Sequence, residues 1–238
     1  MIPEPGEVHA WFADLALPPE TLNQMRLTLA ADERERAARF YFDRDRDRYV
    51  AARGILRRLL ARYLDTTPER IAFLYGEHGK PALAAPWESS GLRFNVSHSH
   101  GSALYAFAAG REIGCDIEQH RENVLADRIA ERFFSPSEVS ALDSLPAGQR
   151  MEGFFNCWTR KEAWIKARSQ GLSIPLDSFD VTLAPGEPAI LLATRPDPDE
   201  AARWTLHALD APPGFAAAIA VEGRPDRVRV HNWPGDFT

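Results

Sequence analysis

One pattern occurs twice in this chain and limits the folds it can adopt. In each half, a long amphipathic segment precedes a strand-like run, a turn containing glycine and a second strand-like run. The two copies of the strand pattern are GSALYAFAAGREIGCDIE at 101–118 and GFAAAIAVEGRPDRVRVHN at 214–232. Helical periodicity combined with short runs bounded by turn residues predicts α+β structure. We therefore expect two similar α+β halves packed side by side, with a ligand cleft between them.

Length and hydropathy exclude several classes of protein. The 238 residues suffice for a substantial hydrophobic core. No apolar run reaches the roughly 18 residues of a membrane span, and the first residues lack the basic start and apolar run of a secretion signal. Cys115 and Cys157 provide no disulfide framework, which suits a reducing compartment. We expect a cytoplasmic protein with no membrane partner.

Positive charge is concentrated in one segment of an acidic chain. The net charge is −6, which gives no reason to expect nucleic-acid binding. Between Ala31 and Arg62, however, lie ten arginines and six acidic residues, a local net of +4. This segment is either a contact surface for an anionic partner or a solvated helix with alternating charges, and composition does not decide between them.

Apolar spacing and turn residues predict the main elements. Helices are predicted over 18–40, Asp45–Leu64, Asp127–Phe134 and 150–168, with Gly148 breaking the chain before the last of these. Ser135 and Glu138 have the spacing of a capping box for a further helix. Residues around 68–81 are predicted to form a loop, and strands are predicted at 92–101, 103–110, 112–118, 174–183, 202–209, 214–223 and 226–232.

The most informative single residue is Glu162. At about 100° per residue, its side chain projects into the middle of an apolar stripe on the helix of residues 151–167. The stripe is formed by Met151, Phe155, Trp158 and Ile165. A buried carboxylate needs a partner or a metal ion. The alternative is that Thr159 and Glu162 form a capping box at a helix start.

Two further carboxylates lie in the sequence IGCDIE. On a strand, Asp116 and Glu118 point to one face, whereas Cys115 and Ile117 point to the other. Carboxylates this close repel each other unless a cation lies between them. Together with Glu162 they form an all-oxygen ligand set, which favours Mg²⁺. The alternative is a solvated strand edge.

The segment FNVSHSHG offers polar groups suited to phosphate oxygens. The segment could contact phosphates through Ser97, His98, Ser99 and Gly101. Alternatively, His98 and His100 could belong to a zinc site, although no third ligand has suitable spacing. A purely structural turn is also compatible with the pattern. Lys166, one turn after Glu162 and beside the apolar stripe, would offset the charge of carboxylates and phosphates.

Four segments together resemble the Sfp-type 4′-phosphopantetheinyl transferases, over most of the chain and in the family's order. They are GKPAL at 79–83, FNVSHSHG at 94–101, IGCDIE at 113–118 and WTRKEAWIKARSQGL at 158–172. The resemblance implies a pseudo-dimer of two α+β subdomains, here residues 1–117 and 118–238, with an active-site cleft between them. It also implies a monomer that uses Mg²⁺ and binds coenzyme A.

The resemblance further implies residue roles. Asp116, Glu118 and Glu162 would hold Mg²⁺, and Glu162 and Lys166 would be catalytic. The residues implied in coenzyme A binding are Arg48, Arg53, Lys80, Pro81, Ser97, His98, Lys161 and Lys166, with Arg36 as a further candidate. Three positions depart from the family's usual pattern: Ser169 replaces a glycine, Glu33 stands where some relatives are basic, and Cys115 lies between two ligands.

The expected activity is transfer of the 4′-phosphopantetheine arm of coenzyme A to a serine of an apo acyl or peptidyl carrier protein, with release of 3′,5′-ADP. Such carriers serve fatty acid, polyketide or nonribosomal peptide synthesis. Either Glu162 or water on the metal would take the serine proton. The alternatives are another Mg²⁺-dependent phosphohydrolase acting on nucleotide diphosphates and a non-catalytic coenzyme A binding module.

Overall fold

The computed structural model describes residues 2–76, 79–121, 126–168 and 174–235. It has mixed α+β architecture. The helices are α1 (Pro19–Thr28), α2 (Ala31–Ala38), α3 (Asp43–Tyr63), α4 (Ala126–Phe133), α5 (Pro136–Asp143) and α6 (Ala147–Arg168). The strands are β1 (Glu7–Asp14), β2 (Phe73–Tyr75), β3 (Pro81–Leu83), β4 (Leu92–Ser99), β5 (Ser102–Ala109), β6 (Ile113–Gln119), β7 (Phe179–Val181), β8 (Leu191–Thr194), β9 (Trp204–Ala208), β10 (Phe215–Glu222) and β11 (Arg227–Trp233).

The strands of the repeated sequence pattern are distributed over two sheets. The first has the strand order β11-β1-β5-β4, and the second has the order β6-β10-β9. In the first, β1 precedes the long helix α3 and pairs with the second strand of the β4–β5 hairpin. In the second, β6 precedes α6 and pairs in the same antiparallel way with the second strand of the β9–β10 hairpin. The predicted boundary at 117/118 falls inside β6, and the division into two halves stays a prediction.

The sheets pack against each other and carry helices on their outer faces. Buried residues of both sheets share one apolar cluster, which includes Phe12, Leu104, Ile117 and Ile219. The outer face of the first sheet packs on α1 and α3, and that of the second on α6. Within the described residues, no helix has the length and hydropathy needed to cross a membrane.

Several helix boundaries differ from those predicted. The segment predicted as one helix over 18–40 forms two, because the chain becomes extended at Leu29 and Ala30. Helix α3 begins two residues before the predicted Asp45. Helix α6 begins at Ala147, so that Gly148 lies inside the helix it was expected to precede. The capping box of Ser135 and Glu138 is confirmed at the start of α5.

Two strand predictions also need correction. The segment 68–81, predicted as loop, contains β2 and begins β3, which pair as a small antiparallel hairpin. Strand β8 was not predicted, and it pairs with β7. The predicted strands corresponding to β4, β5, β6, β9, β10 and β11 are confirmed within a few residues.

Strand β6 packs directly on α6 because residue 114 is glycine. A Cβ at Gly114 would lie closer than van der Waals contact to the backbone of Ala163 and Ala167. Backbone atoms cannot move aside as the end of a flexible side chain can. The missing side chain therefore sets how closely β6 and the C-terminal half of α6 approach.

We predict that Gly114→Ala lowers the unfolding free energy by about 3 kcal/mol, because the new methyl group separates β6 from α6. Gly148→Ala is the matched control: a Cβ there meets nothing within 4 Å, and alanine should stabilise the helix by up to about 1 kcal/mol. Urea unfolding measures both. Equal stability of the two variants would contradict the packing described for β6.

Candidate active site

Strands β4 and β6 bring two serines against the two predicted carboxylates. Ser97 Oγ donates to Asp116 Oδ1 at 2.7 Å, and Ser99 Oγ donates to Glu118 Oε2 at 2.7 Å. The spacing of two residues on each strand gives both pairs the same register. The serines thus orient both carboxylates, and the solvated-edge alternative does not hold for Asp116, which is 2% exposed.

Cys115 and Ile117 face the side of β6 opposite Asp116 and Glu118, as strand alternation predicts. Cys115 and Ile117 lie in the apolar cluster between the two sheets. The backbone N–H of Cys115 donates to the side-chain oxygen of Asn95 at 2.9 Å, which joins β6 to β4. Burial raises the pKa of the Cys115 thiol to about 12. Cys115 therefore contributes packing at this position.

Lys166 connects α6 to the carboxylate of Asp116. Its Nζ donates to Asp116 Oδ1 at 2.6 Å and to Ser97 Oγ at 3.0 Å. Burial by itself lowers the pKa of Lys166, but the Asp116 charge and hydrogen bond outweigh it, and the net pKa is raised. The raised pKa favours the positively charged form of Lys166 beside the carboxylates.

Glu162 lies within electrostatic reach of both β6 carboxylates. Burial raises its pKa; Lys166 opposes the rise, whereas the charges of Asp116 and Glu118 add to it. Burial likewise raises the pKa of Glu118, against the hydrogen bond from Ser99. The capping-box alternative for Glu162 is wrong, because α6 begins twelve residues before Thr159 and the Thr159 hydroxyl donates to the Phe155 carbonyl.

The side chains of Asp116, Glu118 and Glu162 are not arranged as a complete metal-binding site in this structure. Among the described residues, no group of three His, Cys, Asp or Glu side chains is arranged to hold a metal ion. The ammonium of Lys166 bonds to one oxygen of Asp116. The other oxygen, Oδ2, is buried and has no hydrogen-bond partner in the part of the chain that the structure describes.

A cavity of about 420 Å³ lies between the end of β4 and the helices α2 and α3. We call it the cationic cavity because Arg36 and Arg48 line it. Neither Arg36 nor Arg48 in its wall forms an ion pair with a described carboxylate. Loss of water lowers the pKa of His98 in the same wall, and the positive charge of Lys166 lowers it further. The other lining residues are Leu15, Phe40, Asp45, Tyr49, Ser99 and His100. The guanidinium groups of Arg36 and Arg48 suit an anionic ligand.

Lys80 and Pro81 lie near the C-terminal end of α6. Lys80 Nζ donates to the backbone carbonyls of Lys166 at 2.9 Å and Ile113 at 3.3 Å. Burial lowers the pKa of Lys80, against the charge of Glu112. Pro81 opens β3 opposite Tyr75. Lys80 thus ties the start of β6 to the residues beside Lys166.

Arg53 is engaged elsewhere than predicted. Its guanidinium bonds to the Glu33 carboxylate and the Tyr75 hydroxyl and lies 4.2 Å from the ring centre of Phe73. It does not line the cationic cavity formed by Arg36, Arg48 and His98. That Arg53 binds coenzyme A stays a prediction, because in this structure its guanidinium pairs with Glu33 and does not line the cavity.

The prediction that Lys161 binds coenzyme A is wrong. Its side chain is 0% exposed, and its Nζ forms an ion pair of 2.7 Å with Glu138. It also donates to the carbonyls of Leu176 and Phe179, and lies 4.2 Å from the Phe179 ring centre. A ligand cannot reach an ammonium group enclosed in this way, so Lys161 is a structural residue of the second half.

The sequence analysis did not assign Asn95 or Tyr49 to the site, and it offered Ser99 only as a phosphate contact. Strand alternation carried a further signal, since the register that pairs Ser97 with Asp116 also pairs Ser99 with Glu118. No local pattern distinguishes Tyr49 from other helix residues. Ser169 lies outside the described residues, as do the Gly171 and Leu172 of the fourth motif.

Family models match both parts of the chain. The 4′-phosphopantetheinyl transferase superfamily model matches residues 112–220, and the model of the 4′-phosphopantetheinyl transferase N-terminal region matches residues 18–111. The chain is 41% identical over 217 residues to the 4′-phosphopantetheinyl transferase HetI of Nostoc sp., covering 91% of this chain and 88% of HetI. This chain belongs to the 4′-phosphopantetheinyl transferase superfamily.

The chain is also similar to two further proteins. The 4′-phosphopantetheinyl transferase Sfp of Bacillus subtilis is 30% identical over 233 residues, covering 98% of this chain and 96% of Sfp. The crystal structure of Thermotoga maritima holo-[acyl-carrier-protein] synthase aligns at a TM-score of 0.38 and 23% identity, covering 48% of this chain and 63% of that one.

We predict that Lys161→Met lowers the unfolding free energy by about 3 kcal/mol, because it leaves the buried carboxylate of Glu138 without its cation. Lys166→Met should cost less, since the Lys166 side chain is 30% exposed and water can reach its surroundings. Chemical denaturation measures both. A Lys161→Met variant as stable as the parent protein would contradict the structural role.

Proposed function

We propose that this chain transfers the 4′-phosphopantetheine arm of coenzyme A to a serine of an apo acyl or peptidyl carrier protein and releases 3′,5′-ADP. The observation that carries the proposal is the contact of Lys166 with Asp116 and Ser97, beside a cavity lined by two arginines without ion pairs. Membership of the superfamily and the names of the relatives support the same activity.

Coenzyme A would lie along the cationic cavity. Arg36 and Arg48 are the cations with which phosphate oxygens can pair without displacing a carboxylate, and His98 supplies a polar ring in the same wall. Ser97 and Lys166 would contact the pyrophosphate, since they contact each other beside Asp116, and the neighbouring Ser99, which donates to Glu118, lines the cavity. We assign Lys80 and Pro81 to the neighbourhood of the adenine on the family resemblance.

The acidic side chains fit Mg²⁺ in their donor chemistry. Oδ2 of Asp116 is a buried carboxylate oxygen with no partner among the described residues, which is costly unless a cation or donor approaches. Glu118 and Glu162 offer further oxygens, the ligand type that Mg²⁺ prefers. Asp116, Glu118 and Glu162 would hold the ion, which when bound would offset charge on the pyrophosphate. Lys166 would then shift from Asp116 towards the ligand.

The chain's own residues would act by positioning and electrostatics. Lys166 would stabilise the negative charge that grows on the departing 3′,5′-ADP as its bond to the transferred phosphorus breaks. The serine oxygen of the carrier would form the new bond to that phosphorus. The serine proton would pass to Glu162 or to water held beside the three carboxylates.

We also propose that the two halves, residues 1–117 and 118–238, form a pseudo-dimer with the site in the cleft between them. The corresponding strand pairings of β1-β5-β4 and β6-β10-β9 support this interpretation. Ser97 comes from the first half, whereas Glu118, Glu162 and Lys166 come from the second. A site completed within one chain would allow the protein to act as a monomer.

We predict that Asp116→Ala and Glu162→Ala each reduce transfer by at least about a hundredfold while the protein stays folded, because phosphoryl transfer depends on electrostatic groups at the site. The intact mass of an apo carrier protein, incubated with coenzyme A and Mg²⁺, reports addition of one phosphopantetheine. Glu152→Ala, an exposed glutamate on the same helix, is the control and should retain activity.

The parent protein provides the test of the assignment itself. No gain of phosphopantetheine by any of a panel of apo carriers would contradict the proposed transfer. Release of free phosphate from coenzyme A without a carrier would instead indicate a phosphohydrolase. Tight coenzyme A binding with no turnover would indicate a binding module.

A further inference from the structure

Helix α2 is held to the protein by very little apolar surface. Of its eight residues, Ala31–Ala38, only Glu33 and Ala37 are buried. A helix of this length is unstable by itself. Since one alanine offers little hydrophobic contact, the position of α2 depends on what the carboxylate of Glu33 does.

That carboxylate is clamped by two arginines of α3. Oε1 accepts from Arg53 Nε at 2.5 Å, and Oε2 accepts from Arg57 Nε at 2.6 Å. Oε2 also accepts from the backbone N–H of Ala30 at 2.8 Å, which caps the start of α2. Glu33 is 2% exposed, so the pairing is shielded from water and salt.

The arginines of the clamp are themselves fixed. Arg57 Nη1 donates to the backbone carbonyls of Pro68 at 2.9 Å and Ile71 at 2.8 Å. Arg53 is covered by the ring of Phe73 and bonded to the hydroxyl of Tyr75. The clamp therefore connects α2 to α3 and to the β2–β3 hairpin. These contacts fix the position of the Glu33 carboxylate.

One turn along, the same two helices form the cavity wall. Arg36 lies one turn after Glu33 on α2, and Tyr49 lies one turn before Arg53 on α3. The guanidinium carbon of Arg36 is 5.4 Å from the ring centre of Tyr49, and the Phe40 ring is 5.4 Å from the same ring. Arg36, Phe40 and Tyr49 all line the cationic cavity.

We infer that Glu33 is a positioning residue for the anionic ligand: by clamping α2 to Arg53 and Arg57, it holds Arg36 over Tyr49 at the wall of the cavity. A carboxylate near an anion site is tolerated here because two guanidinium groups surround it, so the clamp as a whole is positively charged. This inference rests on the proposed function for the identity of the ligand, coenzyme A.

The test is Glu33→Gln, which keeps the size of the side chain and removes its charge. We expect the dissociation constant for 3′,5′-ADP and the KM for coenzyme A to rise about tenfold. The kcat at saturating coenzyme A and the KM for the carrier protein should change less than about twofold, because Lys166 and the carboxylates do not contact Glu33.

Glu138→Gln is the matched control for loss of stability. Glu138 is also 2% exposed, caps a helix start and pairs with a buried cation, Lys161. Both variants should unfold at lower denaturant concentration than the parent protein. Only Glu33→Gln should weaken binding of 3′,5′-ADP, and equal weakening by both would overturn the positioning role.

A double-mutant cycle with Arg36→Ala tests whether Glu33 acts through Arg36. If it does, Glu33→Gln has little further effect on 3′,5′-ADP binding once Arg36 is removed. Fully additive effects would contradict the inference. Measuring 3′,5′-ADP binding separates this inference from the proposed function. A parent protein that binds 3′,5′-ADP but transfers nothing contradicts the proposed transfer activity. The double-mutant cycle then still decides whether Glu33 positions Arg36.

Discussion

The site depends on the contact between Lys166 on α6 and Asp116 on β6. The Asp116 carboxylate is buried, and without a cation beside it the loss of its hydration would go uncompensated. The 2.6 Å contact exists because Gly114 lets β6 lie directly on the backbone of α6. Ser97 then reaches the same carboxylate from β4, so three separate segments of the chain converge on one oxygen.

Buried carboxylate partners distinguish one set of cations from those of the proposed site. Arg53 and Arg57 are tied to Glu33, and Lys161 is tied to Glu138, all with carboxylates that are 2% exposed. Arg36 and Arg48 have no such partner among the described residues, and Lys166 shares a carboxylate whose second oxygen is unsatisfied. The arginine-rich segment is therefore neither a uniform contact surface nor simply a solvated helix.

Local periodicity predicted the direction of a side chain correctly where buried and exposed positions alternate with the period of the strand or helix. Alternation on a strand placed Asp116 and Cys115 on opposite faces, and helical spacing placed Glu162 inward. It failed where a distant segment decides the outcome. The position of Lys161 on the helix does not reveal that Glu138 and the carbonyls of Leu176 and Phe179 enclose its ammonium group. The pairing of Arg53 with Glu33 likewise joins residues twenty positions apart, which no local pattern reveals.

The most direct test is a crystal structure of the protein with coenzyme A and Mn²⁺, using anomalous scattering to locate the metal. The account predicts one metal peak within about 2.5 Å of an oxygen from each of Asp116, Glu118 and Glu162. It also predicts that the Lys166 ammonium has moved to a phosphate oxygen. A metal bound elsewhere, or coenzyme A seated away from Arg36 and Arg48, would contradict it.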